Sequence, residues 1–185
     1  MQGGNINMNL QEKFTKEIAG QLKKELGIKI NMALPKLLKI VVNMGVKDAL
    51  LDKKSVEKAA GVIAQITGQK PKITKAKKSI STFKLREGDE VGLVVTLRGK
   101  RMYNFFEKIT SIVLPRLRDF HGVRTTSFDK HGNYTLGFVE SAVFPEIDQS
   151  KVDRIQGLEI SVVTTAKDDK DGLALLKALG MPFKK

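Results

Sequence analysis

Apolar residues recur at helical spacing in three long stretches of the chain, and each stretch has a residue that ends helices. Gly27 and Gly68 follow the first two stretches, and Pro115 falls near the end of the third. Asp52 or Ser55 can cap the second stretch. The residues that face inward on the predicted helices are Phe14, Ile18, Leu22 and Leu26; Val56, Ala60, Ile63 and Thr67; and Met102, Phe105, Phe106, Ile109 and Val113.

Shorter segments are rich in β-branched residues or alternate apolar with polar residues, as strands do. They span 37–44, 81–86, 91–97, 134–139 and 158–165, and a last helix spans 172–179. The turn residues Glu87 to Glu90 join two of these strands as a hairpin. We therefore predict one α+β domain over 10–185, with a mainly antiparallel sheet and helices packed on one face, after a disordered lead over 1–9.

The alternation also predicts a polar face on this sheet. If Leu38, Ile40 and Val42 face the helices, Lys39 and Asn43 point the other way. The predicted polar face comprises Lys39, Asn43, Thr82, Lys84, Arg86, Thr96 and Arg98. Such a face suits contact with RNA, but a solvated sheet face has the same pattern, so the spacing leaves both interpretations open.

Positive charge is concentrated in one segment of the 185-residue chain, whose formal net charge is +13. Residues 70–86 hold seven basic residues and no acidic one, which is more than half of that excess. These residues are Lys70, Lys72, Lys75, Lys77, Lys78, Lys84 and Arg86. Concentrated cations attract phosphate-rich partners through counterion release, which favours nucleic acid over the alternative of a solvated basic loop.

Other classes of protein find little support in the sequence. The chain has no cysteine, which excludes disulfides and thiolate zinc sites and fits a reducing compartment. It has no secretory signal and no apolar run near the ~18 residues of a membrane span, so we expect a soluble cytoplasmic protein without membrane contact. His121 and His131 lie in a loop over 119–133 without metal-ligand spacing, and no nucleophile or phosphate-loop motif occurs. We predict no enzyme, cofactor, metal or small-molecule substrate.

Several motifs occur together in a fixed order. They are VVNMGV (41–46), TGQKPKITKAKKSISTFKLREG (67–88), VTLRGKRMYNFFEKI (95–109), PRLRDFHGV (115–123), GNYTLGF (132–138), FPEID (144–148) and the C-terminal TTAKDDKDGLALLKALGMPF. With these motifs the chain resembles the family of bacterial large-subunit ribosomal protein five, which binds 5S rRNA. The resemblance extends from about Phe14 to Lys185.

The resemblance implies a structural constituent of the large ribosomal subunit in the cytoplasm, with an α+β fold and a projecting basic loop. Its implied partners are 5S rRNA in the central protuberance, 23S rRNA, P-site tRNA, other large-subunit proteins and a protein of the small-subunit head, with which it forms an intersubunit bridge. By matching motifs, recognition of 5S rRNA falls to Asn43, Gln69 and Thr96. Short polar side chains suit the reading of ribose hydroxyls and base edges, while cations hold phosphates.

Cations around these three residues and the side chains of the basic segment complete the predicted site. The cations expected to support 5S rRNA binding are Lys39, Lys70, Lys72 and Arg98. The residues of the loop expected to contact tRNA are Lys75, Lys77, Lys78, Ser79, Phe83, Lys84 and Arg86.

The chain departs from the family pattern at two places. Lys47 stands where relatives commonly have glycine, and Ser81-Thr82 stands where an Ala-Gly pair is common. If those glycines permit a left-handed backbone, the turn near residue 47 or the loop tip differs in shape here. Two alternatives to the ribosomal function remain: a charge-driven, nonspecific RNA-binding chaperone, and a protein-interaction module that uses the long loop over 119–133.

Overall fold

A computed structural model describes residues 9–28, 30–46, 49, 53–118, 120–148 and 156–184. The predicted disordered lead, apart from Asn9, lies outside these residues, as do Lys47 and the predicted cap Asp52. The first helical region runs through α1 (Leu10–Lys13), a π-helical turn (Phe14–Ile18) and α2 (Ala19–Glu25). It ends as predicted, since Gly27 takes a left-handed φ of +66°.

Three longer helices follow the predicted apolar periodicity. They are α3 (Lys53–Thr67), α4 (Gly99–Lys108) and α5 (Asp169–Ala178). A π-helical turn (Ile109–Val113) and a 3₁₀ turn (Leu114–Arg116) extend α4 to the predicted Pro115. All five inward residues predicted for α4 and its extension are buried. On α3 the alanine that packs inward is Ala59, whereas the predicted Ala60 is half-buried.

Five strands form one antiparallel sheet. They are β1 (Leu37–Gly45), β2 (Lys72–Lys75), β3 (Glu90–Leu97), β4 (Tyr134–Phe138) and β5 (Leu158–Thr164), in the spatial order β2-β3-β1-β5-β4. Alternate side chains on β1, β3 and β5 are buried, and α3 packs against β3. The predicted α+β class is therefore confirmed.

Two details of the strand predictions are wrong. The segment 81–86 is not a strand: Ser81–Phe83 forms a 3₁₀ turn, and Phe83 is 68% exposed. The partner of β3 is β2, in which Ile73 lies opposite buried Leu93 but is itself 39% exposed. At the start of β1, the residue that is buried is Leu37, at 5% exposure, whereas the predicted Leu38 is 46% exposed.

Residue contacts divide the chain into two compact units. The first comprises Met1–Ile40, Arg98–Thr135 and Val162–Lys185, and the second comprises Val41–Leu97 and Leu136–Ser161. In the second unit, Val46 N–H donates to the Val91 carbonyl at 3.0 Å and so joins β1 to β3. In the same unit, Ser141 N–H donates to the Gln156 carbonyl at 2.9 Å.

An aromatic cluster in the first unit attaches the C-terminus to the long loop. Phe128 and Phe183 both pack on Tyr134, with ring centroids 4.8 and 5.6 Å from that ring. Val123 N–H donates to the Pro182 carbonyl at 2.8 Å, and Lys184 N–H donates to the Val123 carbonyl at 2.9 Å. The C-terminal residues up to Lys184 are thus an integral part of this unit.

The carboxylate of Asp129 organises the turn that leads into β4. It accepts the backbone N–H groups of His131 and Asn133 at 2.9 and 3.0 Å, and the side-chain amide of Asn133 at 2.7 Å. Asn133 in turn accepts the N–H of Thr164 at 3.0 Å. Burial acts to raise the pKa of Asp129, but these hydrogen bonds and nearby His131 outweigh it, and the pKa lies below its ordinary value.

Gly92 on β3 has no room for a side chain. A Cβ there would lie 2.9 Å from the Met44 carbonyl oxygen and 3.0 Å from Thr74 Oγ1. We expect Gly92→Ala to lower the free energy of unfolding by about 1–3 kcal/mol, because the overlap with Met44 involves backbone. The control is Gly45→Ala on the neighbouring strand, where a Cβ meets nothing within 4 Å. Equal urea midpoints for the two variants would contradict this account of the β1–β3 pairing.

The lowered pKa of Asp129 predicts a pH-dependent contribution to stability. A depressed carboxyl pKa stabilises the fold above its unfolded value of about 3.9, and this stabilisation is lost as the pH falls through the folded value. Asp129→Asn should therefore be less stable than the parent at pH 6, because its amide would face the Asn133 amide donor. The difference between their urea midpoints should shrink by pH 2.5. A difference that stays constant over this range would rule out the carboxylate as its source.

Candidate nucleic-acid interface

The second unit carries a polar sheet face whose residues come from three adjacent strands. Asn43 on β1 is exposed between buried Val42 and Met44, and Thr96 on β3 is exposed between buried Val95 and Leu97. On β2, Lys72 lies opposite Val94, two residues from Thr96 and therefore on the same side of β3. We call the surface that includes Asn43, Lys72 and Thr96 the open face.

The strand register places these three residues around one point. The bond from Val46 N–H to the Val91 carbonyl pairs those two residues across β1 and β3. Because the strands are antiparallel, three residues back from Val46 on β1 correspond to three residues forward from Val91 on β3, so Asn43 lies opposite Val94. On the other edge of β3, Val94 lies opposite Lys72 of β2. Val94 thus lies between an amide and an ammonium group, and Thr96 stands two residues further along β3.

Gln69 is held by the turn that ends α3. Gly68 has a φ of +66°, and the Gln69 N–H donates to the Thr67 hydroxyl at 3.3 Å. That hydroxyl also donates to the Ile63 carbonyl at 2.7 Å, inside the helix. Gln69 is half-buried at the entry to β2, and Lys70 is exposed beside it. Thr67 therefore fixes the backbone from which Gln69 projects, a role that no sequence motif indicated.

The predicted 5S rRNA-binding residues do not all belong to one unit. Asn43, Thr96 and Lys72 share the open face, and Gln69 and Lys70 precede β2 in the same unit. Half-buried Lys39 and exposed Arg98 belong to the first unit, so the structure does not group them with the other five.

The segment between β2 and β3, residues 76–89, forms a hydrogen-bonded hairpin that we call the basic loop. At its base, Ala76 N–H donates to the Asp89 carbonyl at 2.8 Å, and Gly88 N–H donates to the Ala76 carbonyl at 3.0 Å. Nearer the tip, Ile80 and Leu85 exchange two backbone bonds of 2.9 and 3.1 Å. Lys84 closes the tip in the left-handed conformation, with a φ of 53°.

All the predicted tRNA-contacting residues are exposed. Lys75 ends β2, and the others lie in the basic loop; they are Lys77, Lys78, Ser79, Phe83, Lys84 and Arg86. The predicted polar-face residue Thr82 is also exposed at the tip rather than on the sheet. The structure thus separates two cationic features of the second unit, the open face and the loop.

The Ser81-Thr82 departure does not require glycine at either position. Among the described residues, the non-glycine residues with positive φ are Lys84 and Lys130. Ser81 and Thr82 lie in the 3₁₀ turn that precedes Lys84, where ordinary side chains fit. The left-handed residue of the tip is therefore two positions beyond the place where the family pair was expected.

Two side chains stabilise the basic loop in roles that were not predicted from the sequence. Asp89 Oδ2 accepts the Arg86 N–H at 2.7 Å, and Ser79 Oγ accepts the Glu87 N–H at 3.0 Å. An Asp three residues after Arg86 in a Gly-containing turn is the available sequence signal, because short polar side chains commonly cap nearby amides.

No group of three His, Asp or Glu side chains within the described residues could hold a metal ion. His121 and His131 are exposed. No helix in the described part of the chain is long and apolar enough to cross a membrane.

Comparisons with known proteins agree over nearly the whole chain. Residues 31–86 match the family described as ribosomal protein L5, and residues 90–183 match the family described as the C-terminus of that same ribosomal protein. Large ribosomal subunit protein uL5 of Mesoplasma florum is 53% identical over 180 residues, which cover 97% of this chain and 100% of that protein. The protein of the same name from Streptococcus pyogenes is 56% identical over 176 residues, or 95% of this chain and 98% of its own length.

Proposed function

The chain belongs to the ribosomal protein L5 family, and from this premise we propose that it binds 5S rRNA in the large ribosomal subunit through the open face and Gln69. As a member of this family it is a structural, non-enzymatic protein of the large subunit of the cytoplasmic ribosome, with ribosomal RNA and ribosomal proteins as partners.

The observation that carries the proposal is the arrangement of Asn43, Thr96 and Lys72 on adjacent strands. Asn43 offers both donors and acceptors, and Thr96 offers a hydroxyl, which together suit ribose 2′-hydroxyls and base edges. Lys72, and Lys70 just before β2, supply charge for the phosphates that flank such a contact. Gln69 adds a second amide, held in place by Thr67.

The basic loop is proposed to contact tRNA rather than 5S rRNA. Its exposed cations and the exposed ring of Phe83 suit the backbone and bases of P-site tRNA, and the family resemblance assigns the loop to that contact. Contacts with 23S rRNA and with a protein of the small-subunit head, which would make an intersubunit bridge, complete the proposal and rest on the same resemblance.

Removing the recognition side chains should weaken binding to 5S rRNA selectively. Asn43→Ala, Gln69→Ala and Thr96→Ala should each cost about 1–3 kcal/mol of binding free energy, since each leaves a polar partner on the RNA unpaired. Titration against 5S rRNA and an unrelated RNA measures both affinities. The matched controls are Asn104→Ala, Gln21→Ala and Thr126→Ala, which remove the same side chains from exposed positions elsewhere. Equal losses for site and control variants would refute the assignment.

Replacing lysines of the basic loop and of the adjoining end of β2 should lower the affinity for all RNAs alike. Substituting Gln for Lys75, Lys77 and Lys78 should lower affinity for any RNA and reduce the log–log salt slope by roughly 2–3, the contribution of three phosphate contacts. The control substitutes Gln for Lys16, Lys24 and Lys170, which changes the net charge equally at exposed positions outside the loop. If the two triple variants have the same log–log salt slope, RNA affinity depends on the total charge and not on the position of these lysines.

Affinities for 5S rRNA and for a transfer RNA, measured over a series of salt concentrations, distinguish a specific 5S rRNA-binding protein from a charge-driven RNA chaperone. We expect a preference for 5S rRNA of about 10³-fold or more that persists at high salt. Equal affinities that fall together, with a slope near about −5 to −6 for seven phosphate contacts, would support the chaperone.

A further inference from the structure

The basic loop combines high charge with an ordered backbone. Its cations Lys77, Lys78, Lys84 and Arg86, together with Lys75 at the end of β2, repel one another, and such segments commonly remain extended and mobile. Here, however, the backbone is bonded at the base through Ala76 and near the tip through Ile80. These backbone bonds hold residues 85, 88 and 89 of the arm that returns to β3, and side chains bond the two amides between them, those of Arg86 and Glu87.

Side chains provide that connection between the base and the tip. Asp89 Oδ2 accepts the Arg86 N–H at 2.7 Å, while Asp89 N–H donates to the Arg86 carbonyl at 3.2 Å, so the two residues close a tight turn. Across the loop, Ser79 Oγ accepts the Glu87 N–H at 3.0 Å. The bonded amides belong to consecutive residues, Arg86 and Glu87, on the arm that returns to β3.

We propose that Asp89 and Ser79 are positioning residues that hold the basic loop in its RNA-binding shape before any RNA is bound. This inference rests on the proposed function in one respect, that the loop binds RNA. A loop that is already ordered loses less conformational entropy on binding, so its affinity is higher than that of a mobile loop with the same charges. Asp89 does not need to touch RNA to have this effect, and Ser79, which is also among the residues expected to contact tRNA, acts here through its bond to the Glu87 N–H.

Whether removal of Asp89 weakens or strengthens RNA binding distinguishes a positioning role from a purely electrostatic one. Asp89 is an acidic residue beside a cationic segment, so simple electrostatics predicts that its removal strengthens RNA binding. Positioning predicts the opposite, because the Arg86 amide loses its acceptor and the loop becomes mobile. Glu87 is the matched control: it is an exposed acidic residue two positions away, and it joins the bond to Ser79 through its backbone N–H rather than its carboxylate.

The experiment titrates the full chain with transfer RNA and with 5S rRNA over a salt series. Asp89→Ala should bind transfer RNA about three- to tenfold more weakly than the parent, with an unchanged salt slope, because no phosphate contact is lost. Glu87→Gln should bind as tightly as the parent or more tightly. Asp89→Asn keeps one acceptor oxygen and should recover part of the loss. Asp89→Ala binding at least as tightly as Glu87→Gln would overturn the proposal.

Ser79→Ala tests the second connection without any change of charge. We expect a loss of about twofold in affinity for transfer RNA, and no loss for Ser81→Ala, which removes an exposed hydroxyl from the tip of the same loop. Equal affinities for these two serine variants would overturn the role of Ser79.

Amide hydrogen exchange in the free protein tests the order of the loop without RNA. The amides of Ile80, Leu85, Arg86 and Glu87 should be protected in the parent, and Asp89→Ala should expose those of Arg86 and Glu87 first. Unprotected amides in the parent would overturn the proposal whatever the affinities are.

Failure of the inference and failure of the proposed function give different results. If the Lys75, Lys77 and Lys78 triple variant loses no RNA affinity, the loop does not bind RNA and the proposed function of the loop fails. If that triple variant loses affinity while Asp89→Ala does not, the loop binds RNA but Asp89 does not position it.

Discussion

The close pairing of β3 with both β1 and β2 is the constraint on which the candidate interface depends. At Gly92 the Met44 carbonyl and the Thr74 hydroxyl approach the backbone of β3 so closely that a Cβ would overlap them. The backbone pairing sets the register of the three strands, and the period of two along each strand then decides which side chains are buried. With Val95 and Leu97 in the core, Thr96 has to be exposed, and the same argument applies to Asn43 between its two buried neighbours.

The two cationic parts of the second unit use the backbone differently. The open face holds few charges on a rigid sheet, where hydrogen-bonding side chains keep fixed spacings and can select a shape. The basic loop holds more charge on a hairpin whose own bonds keep it ordered. The proposed function thus assigns specific recognition and general phosphate attraction to different structural elements.

Small polar side chains control the turns throughout the molecule. Thr67 binds the amide of Gln69, Asp89 binds that of Arg86, and Asp129 binds those that lead into β4. Among the described residues, no buried side-chain nitrogen or oxygen lacks a hydrogen-bond partner. These bonds satisfy backbone groups that would otherwise remain unpaired where helices and strands end, and they set the direction of the chain that follows.

The helices, four of the five strands and the exposure of Asn43 and Thr96 could be predicted from the sequence, because burial imposes a local period on the apolar residues. The concentrated charge and, through the motifs, the family were also evident from the sequence. The pairing of Lys72–Lys75 rather than 81–86 with β3 could not be predicted in this way, because Phe83 and Leu85 show the alternation of a strand although Ser81–Phe83 forms a 3₁₀ turn. The choice depends on which segment pairs with β3 across the sheet, and the residues of such a pair, like Lys72 and Val94, are too far apart in the chain for a local period to reveal it.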